Sequence, residues 1–366
     1  MIFFIILLLF SCLAVFDLFK IGKDVRGLVV LFMLGVFLVI AGLRSEFETG
    51  LGDWGNYSTY FQAIPPITSI FNWDYFISHQ PPFEFGYFLL NAIIKTFTDS
   101  SYVFFFVVEF VICVLLYKSL KIYTKKIAIA LLIYFTVLFT ALDVAYIRQG
   151  IAVVLFLFSI QYIKERKLLH YFLWVTAAAA FHSSALVLYP LYFVCNRVFS
   201  SKLIIVALGI SVLFFLLTID IVSPLLNFFP ENPRVDYYMA TTKYSVSRPW
   251  SFTHVEFLLV LIVLLSYRKR IDKLKLTDEY LNIFINLFVI YGMIIFLFFG
   301  FSIVSARLKF YFLTSFLIIF PAVLGLLNKN SRLIGYFILV LYLLIYLATL
   351  YQLTPYFSTY KNFLFH

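Results

Sequence analysis

The chain has 366 residues, of which 63% are hydrophobic and only 13% are charged. This composition excludes an ordinary soluble protein, in which about a quarter of the residues are charged. The net charge of +10 does not indicate nucleic-acid binding, because the lysines and arginines lie in short loops between apolar segments, where such residues orient membrane helices.

Apolar segments recur along the whole chain. An α-helix needs roughly 17–25 mainly apolar residues to cross the hydrocarbon core of a bilayer. Such segments are predicted at residues 2–19, 27–43, 101–117, 127–142, 147–163, 203–224, 252–267, 280–299, 303–327 and 333–350. We therefore predict an all-α polytopic integral membrane protein, with a single transmembrane domain over residues 1–366.

Two further apolar segments do not fit one simple span. Residues 86–97 are short and carry Lys95, which predicts an amphipathic helix on the outer interface. Residues 168–194 are too long for one span and too short for two, which predicts paired half-helices that break near His182. With these segments the chain would have about 12 transmembrane helices.

The basic loops decide between two topologies. Placing them all in the cytoplasm satisfies the positive-inside rule and puts the loops at 44–85 and 227–251, and the turn at 143–147, outside. The alternative makes residues 86–117 a hairpin and residues 168–194 one tilted span. It leaves the basic loops that follow residues 117 and 163 outside, so the first topology is preferred.

The outer loop mixes aromatic side chains, glycines and acids without a helical period. It contains Asp53 among small residues, Tyr57, and Glu84 within an aromatic stretch. Aromatic faces with nearby carboxylates suit a sugar, whose CH groups pack on rings while its hydroxyls need acceptors. The alternative interpretation is an aromatic belt at the membrane interface.

Two positions carry an arginine near the outer end of a helix. Arg148 is followed by Gln149, and Arg307 occupies a similar place later in the chain. A guanidinium binds phosphate oxygens bidentately, so Arg148 could hold a lipid diphosphate. Alternatively, it is an interfacial anchor or the ion-pair partner of Asp143 or Glu109.

His182 lies in a setting of small residues, between four alanines and two serines. The unperturbed pKa of a histidine, about 6.5, suits a general base or a ligand of a diphosphate. The alternative is a buried histidine that serves packing. Asp53 is a second candidate for the base.

The residues in these segments together resemble the EpsG family. The segments are Arg44…Gly52-Asp53…Tyr57, Glu84-x-Gly86-Tyr87, Ile147-Arg148-Gln149-x-x-Ala152, Phe181-His182-Ser183-Ser184-Ala185 and Arg307…Tyr311. The resemblance covers roughly residues 25–325. A proline often follows the glutamate in this family, where the present chain has Phe85.

The resemblance implies a Wzy-like polymerase of capsule, exopolysaccharide or O-antigen, a membrane glycosyltransferase of GT-C-like architecture. It would join undecaprenyl-diphosphate-linked oligosaccharides at the outer face of the bacterial inner membrane. We expect no cofactor, no metal and no nucleic acid; the bilayer and a chain-length regulator are the expected partners. The predicted catalytic residues are His182 and Asp53, and the predicted substrate-binding residues are Arg148, Gln149, Arg307, Arg44, Tyr57, Glu84 and Arg248.

The main alternative is a flippase or other transporter of lipid-linked oligosaccharides. Transporters tend to have internal repeats and charged sites at mid-membrane, whereas here the polar groups gather at one face and no repeat is evident. A third candidate, an O-acetyltransferase of the same polysaccharide, would need a second His or Asp pair in the basic loops.

Overall fold

The computed structural model describes residues 2–19, 22–45, 54–70, 83–220, 250–267, 270–271, 280–353 and 360–363. Within these ranges the regular elements are helices, and one isolated antiparallel bridge joins Arg44 to Asn362. The predicted all-α class is confirmed.

The helices follow the predicted apolar segments closely. In chain order they are α1 (Ile2–Ala14), α2 (Lys23–Gly42), α3 (Trp54–Ala63), α4 (Phe85–Lys95), α5 (Ser101–Tyr123), α6 (Ile127–Leu142), α7 (Ile147–Lys164), α8 (Leu168–Phe181), α9 (Ser201–Leu216), α10 (Phe252–Ser266), α11 (Leu281–Leu297), α12 (Ser302–Leu313), α13 (Phe316–Leu326) and α14 (Lys329–Leu353). Single helical turns lie at Ile67–Ile70 and Leu191–Val194, and 3₁₀ turns lie at Val15–Leu18 and Ser183–Leu188.

Four described helices are long and apolar enough to cross a membrane: α2, α5, α7 and α14. The pair α12 and α13 would be a fifth span, and shorter apolar helices of 10–17 residues account for most of the remainder. The exposed side chains of α2 and α14 are largely apolar, as for Leu28 and Phe337, which suits contact with lipid. The chain is a multi-pass membrane protein; the count of about 12 spans and the GT-C-like architecture stay predictions.

The chain divides into two compact units. The first comprises Met1–Tyr192 and Phe320–His366, and the second comprises Phe193–Ile319. In the first unit α6 is central, with its side chains almost entirely buried. A helix that is apolar on all sides belongs in the interior. Around it pack α1, α2 and α5, and the rings of Phe37 and Phe139 stack with centroids 4.5 Å apart.

The hairpin of α7 and α8 leads to a break at His182, as predicted. Helix α8 ends at Phe181, and His182 has extended backbone angles, with φ −153° and ψ 114°. The chain then continues as the 3₁₀ turn Ser183–Leu188 and one short helical turn. The second half of residues 168–194 is therefore less regular than the predicted half-helix.

The second unit contains α9 to α12. Helices α10 and α11 approach closely at Gly292, where an added Cβ would lie 2.1 Å from the ring of Phe257. The Asn286 side chain of α11 donates hydrogen bonds to the carbonyls of Cys195 and Arg197, at 2.8 and 2.7 Å. These contacts fix the chain that precedes α9 onto α11.

The predicted span at residues 303–327 contains a break. Helix α12 ends at Leu313 and α13 begins at Phe316, and the two helices are bent by 43° relative to each other. The Thr314 hydroxyl donates to the Tyr311 carbonyl at 2.5 Å. Such local bonds from threonine compete with the regular helical pattern, which explains a break that hydropathy does not reveal.

Residues 360–363 cap the end of α2 in the first unit. The Tyr360 hydroxyl donates to the Ile40 carbonyl at 2.6 Å, and the Asn362 amide donates to the Val39 carbonyl at 2.8 Å. The Phe363 amide bonds the Leu43 carbonyl at 2.8 Å. The last carbonyls of a helix lack partners inside it, and this segment supplies them.

Candidate functional site

Arg148 lies in the first turn of α7 and meets aromatic rings and a carboxylate. Its guanidinium carbon is 4.4 Å from the ring centroid of Phe83, and 5.9 Å from those of Tyr57 and Tyr87. It also forms an ion pair with Glu84. Ring faces attract a guanidinium through their quadrupole, so three rings and one acid hold this cation.

Glu84 connects Arg148 to the break that follows α8. One carboxylate oxygen, Oε2, accepts from the Arg148 guanidinium, and the other, Oε1, accepts from the backbone amide of Ser183 at 3.1 Å. The side chains of Glu84 and Arg148 are 20% and 18% exposed, so the pair is partly accessible. Three segments far apart in sequence therefore meet at one carboxylate.

Burial raises the pKa of Glu84, but the charge of Arg148 and backbone amides, including that of Ser183, lower it more, with His182 contributing in the same direction. The net pKa lies below the usual range of a glutamate. Glu84 is therefore ionised at neutral pH and is a poor general base.

The close approach of α4 and α8 makes this meeting possible. At Gly86 an added Cβ would lie 2.7 Å from the Ala180 carbonyl oxygen and 2.9 Å from the Ala180 Cβ. Only a residue without a side chain fits there. The alanine run of α8 thus admits the start of α4, and it brings Glu84 within reach of Ser183.

His182 is partly buried at the break itself. Its Nδ1 atom lies 2.6 Å from the Ser184 hydroxyl oxygen, and its backbone amide bonds the Ala178 carbonyl at 3.0 Å. The hydroxyl fixes the orientation of the imidazole, in the way that a hydrogen bond to one ring nitrogen defines the role of the other. The structure thus brings Arg148 and the residue that follows His182 to the same carboxylate.

Tyr57 belongs to a short helix rather than to an irregular loop. Helix α3 spans Trp54–Ala63, although its sequence shows no clear helical period. Tyr57 is only 1% exposed, and its ring lies 6.0 Å from that of Phe83 and 5.6 Å from that of Tyr87. Its hydroxyl lies within hydrogen-bonding reach of Arg148. The predicted aromatic platform is therefore the wall that holds Arg148.

Arg44 is buried instead of lining an opening. It is 1% exposed, its guanidinium carbon lies 4.4 Å from the ring centroid of Phe105, and it donates to the Ala41 carbonyl. Contact with substrate stays a prediction for this residue.

The other predicted residues are placed as follows. Gln149 is fully buried in α7, and Arg307 is partly buried in α12 of the second unit. Asp53 and Arg248 lie outside the described residues, so their predicted roles stay predictions. Across the described ranges, no group of three or more His, Cys, Asp or Glu residues could hold a metal ion.

The ion-pair partner of Arg148 is Glu84 and differs from both partners predicted from the sequence. Asp143 and Glu109 were the candidates, but Asp143 accepts the Tyr134 hydroxyl at 2.9 Å and Glu109 contacts the Cys113 thiol at 3.4 Å. The Ser183 amide was also missed, because a backbone donor has no signature in sequence. The signal for Glu84 was its place at the end of the outer loop, beside the aromatic Phe83.

Comparison with known proteins gives one match. A family model described as the EpsG family matches residues 27–362, which is nearly the whole chain. No curated protein and no solved structure matches.

Proposed function

The chain belongs to the EpsG family, whose members are Wzy-like polysaccharide polymerases, and we propose that it polymerises undecaprenyl-diphosphate-linked oligosaccharide repeat units at the outer face of the bacterial inner membrane. The family supports a polymerase role. The substrate and the face of the membrane are our proposal.

The observation that carries the proposal is the meeting of Arg148, Glu84 and the His182 break. A glycosyl transfer needs a cation for the leaving diphosphate and a base for the acceptor hydroxyl. Arg148, with a guanidinium that suits phosphate oxygens, pairs with Glu84, and His182, with a titratable imidazole, precedes the residue whose amide bonds the same carboxylate. One site thus holds both kinds of group.

In the proposed reaction, the acceptor hydroxyl oxygen bonds to the anomeric carbon of the donor chain. The bond from that carbon to the diphosphate oxygen breaks, and its electron pair leaves with undecaprenyl diphosphate. The hydroxyl proton passes to a base, for which His182 and Asp53 are the candidates. Arg148 and Arg307 are proposed to bind the diphosphate, and the aromatic wall with Tyr57 is proposed to contact sugar.

The remaining assignments follow from this reaction. Gln149, Arg44 and Arg248 are proposed to support substrate binding, directly or through their neighbours, and Glu84 is proposed to belong to the substrate-binding site through its ion pair with Arg148. We propose that the arginines carry the charge stabilisation without a metal, and that a chain-length regulator is a partner in the membrane.

A deletion strain tests the function. Loss of the polymerase should leave single repeat units at the cell surface and remove the long polymer, since export continues. Loss of a flippase would remove all surface sugar of this type. The second result would overturn the proposal in favour of transport. Re-expression of the wild-type chain should restore the polymer and serves as the control.

A further inference from the structure

The Glu84 carboxylate accepts hydrogen bonds from donors that would also suit a phosphate. Each of its oxygens has a partner, one in the Arg148 guanidinium and one in the Ser183 amide at 3.1 Å. His182 directly precedes Ser183, whose amide makes this bond. A guanidinium combined with a backbone amide is a common arrangement for binding phosphate oxygens.

Arg148 has contacts besides Glu84 that help to hold its position. Its guanidinium rests on Phe83 at 4.4 Å and faces two tyrosine rings at 5.9 Å. Its Nε atom is buried without a hydrogen-bond partner, although the group has five N–H donors. An anion with more oxygens than a carboxylate would use this donor set more fully.

The Glu84 side chain can rotate away from Arg148 and Ser183 without unfolding α4. It holds the N-cap position of α4, but its side chain makes no capping hydrogen bond. The helix is instead started by the backbone, where the Phe88 amide bonds the Glu84 carbonyl at 3.1 Å. Rotation of the carboxylate away from Arg148 and the Ser183 amide therefore leaves this backbone start of α4 in place.

We propose that Glu84 occupies, in the resting protein, the place that a phosphate of the lipid-linked substrate takes in the complex. This inference rests on the proposed function. Binding is then an exchange of one anion for another on Arg148 and the Ser183 amide. After transfer, the return of Glu84 displaces the lipid diphosphate, so the same residue that delays binding promotes release.

Such an exchange lowers the apparent affinity, because substrate binds only the fraction of molecules in which the place is free. A substitution that weakens the bonds of Glu84 to Arg148 and the Ser183 amide should therefore increase the affinity for the anion. The opposite sign is expected if Glu84 only holds the segments together, since its loss would then disorder the donors. The sign of one measured change separates the two roles.

The experiment measures binding of farnesyl diphosphate, and separately of inorganic pyrophosphate, to the purified chain in nanodiscs. We expect Glu84→Gln to bind both probes about tenfold more tightly than wild type. Glu84→Asp keeps the charge but shortens the reach, so it should also bind more tightly than wild type. Asp99→Asn, which removes an exposed charge near the other end of α4, should bind as wild type does.

Combining Glu84→Gln with Arg148→Ala should abolish the gain, because the freed place then lacks its cation. The side-chain oxygen introduced by Glu84→Gln can still accept a hydrogen bond from the Ser183 amide. A thermal unfolding curve for each variant excludes misfolding as the cause of a change in affinity. Unchanged or weaker binding by Glu84→Gln would overturn the exchange, and so would a gain that Glu84→Asp fails to share.

The outcomes also separate this inference from the proposed function. If Glu84→Gln binds pyrophosphate but not farnesyl diphosphate more tightly than wild type does, the proposal that the ligand is lipid-linked would be overturned. Absence of binding by wild type and by Glu84→Gln would overturn the inference together with the role of Arg148. Binding by wild type without a gain in the variants would overturn the inference alone.

Discussion

Gly86 and Ala180 bring two helices together so closely that the Ala180 carbonyl oxygen would lie 2.7 Å from a Cβ added at Gly86. The contact involves backbone, which cannot rotate away as a flexible side chain can. It determines how far Glu84, two residues earlier, stands from the Ser183 amide.

Gly86→Ala should therefore damage the site through packing. We expect a loss of about 1–3 kcal/mol in stability, as for other overpacked contacts, and a clear loss of polymer. The measurements are thermal unfolding in detergent and polymer length on gels. Gly35→Ala is the matched control, since a Cβ at Gly35 meets nothing within 4 Å; equal behaviour of the two variants would contradict the packing argument.

Arg148→Lys should reduce polymer strongly, because an ammonium keeps the charge but loses the planar fork for two oxygens. Arg148→Ala should reduce it further. Polymer per cell is compared at matched protein level, with Arg166→Lys, in the loop between α7 and α8, as the control. Wild-type polymer from the alanine variant would exclude a role in diphosphate binding.

His182→Gln keeps a hydrogen-bonding group of similar size but cannot accept a proton near neutral pH. If His182 is the base, the protein should insert normally and the transfer rate should fall on the order of 10²–10⁴-fold. Asp53→Asn is measured beside it. If His182→Gln polymerises normally and Asp53→Asn is inactive, the base is Asp53.

Ser184→Ala removes the hydroxyl that lies 2.6 Å from His182 Nδ1. One such hydrogen bond contributes about 1 kcal/mol, so we expect a roughly fivefold lower rate and an altered pH profile. Ser184→Thr should restore both. Ser183→Ala should behave as wild type, since Ser183 contributes a backbone amide. An unchanged pH profile in Ser184→Ala would show that the hydroxyl does not orient the base.

The topology can be tested by labelling single cysteines with an impermeant thiol reagent. Asp143 was the natural outer position by sequence, but it is fully buried. Asp99 and Lys167 have exposed side chains, so cysteines there are suitable. We expect Asp99→Cys to react from outside and Lys167→Cys only after permeabilisation, in a background that lacks the exposed Cys12. The reverse pattern would invert the predicted orientation.

Most helices could be predicted from the sequence, because the length of an apolar run is a local property. The boundaries of α6 match the predicted residues 127–142, and the break at His182 follows from an apolar run, residues 168–194, that is too long for one span and too short for two. The break at Thr314 was not predicted, because it depends on a side-chain hydrogen bond within an apolar run.

Within the candidate site, the sequence predicted the members better than their pairing. The sequence indicates Arg148, Glu84 and His182 as site residues. That Arg148 pairs with Glu84 rather than with Asp143 depends on where α4 meets α8. Arg44 looked like a surface cation by its place in a loop, and the structure buries it against Phe105. Both outcomes depend on contacts between segments distant in sequence.

The hydrogen bond from Asn362 to Val39 joins residues 323 positions apart, and this has a consequence for biogenesis. A ribosome delivers α2 to the membrane long before it makes the segment that completes the end of that helix. Contacts at such separation form late in folding. Residues 43–45 therefore gain their backbone partners only after the helices of the first unit have been synthesised, so a nascent chain is inserted before the start of its outer loop is anchored.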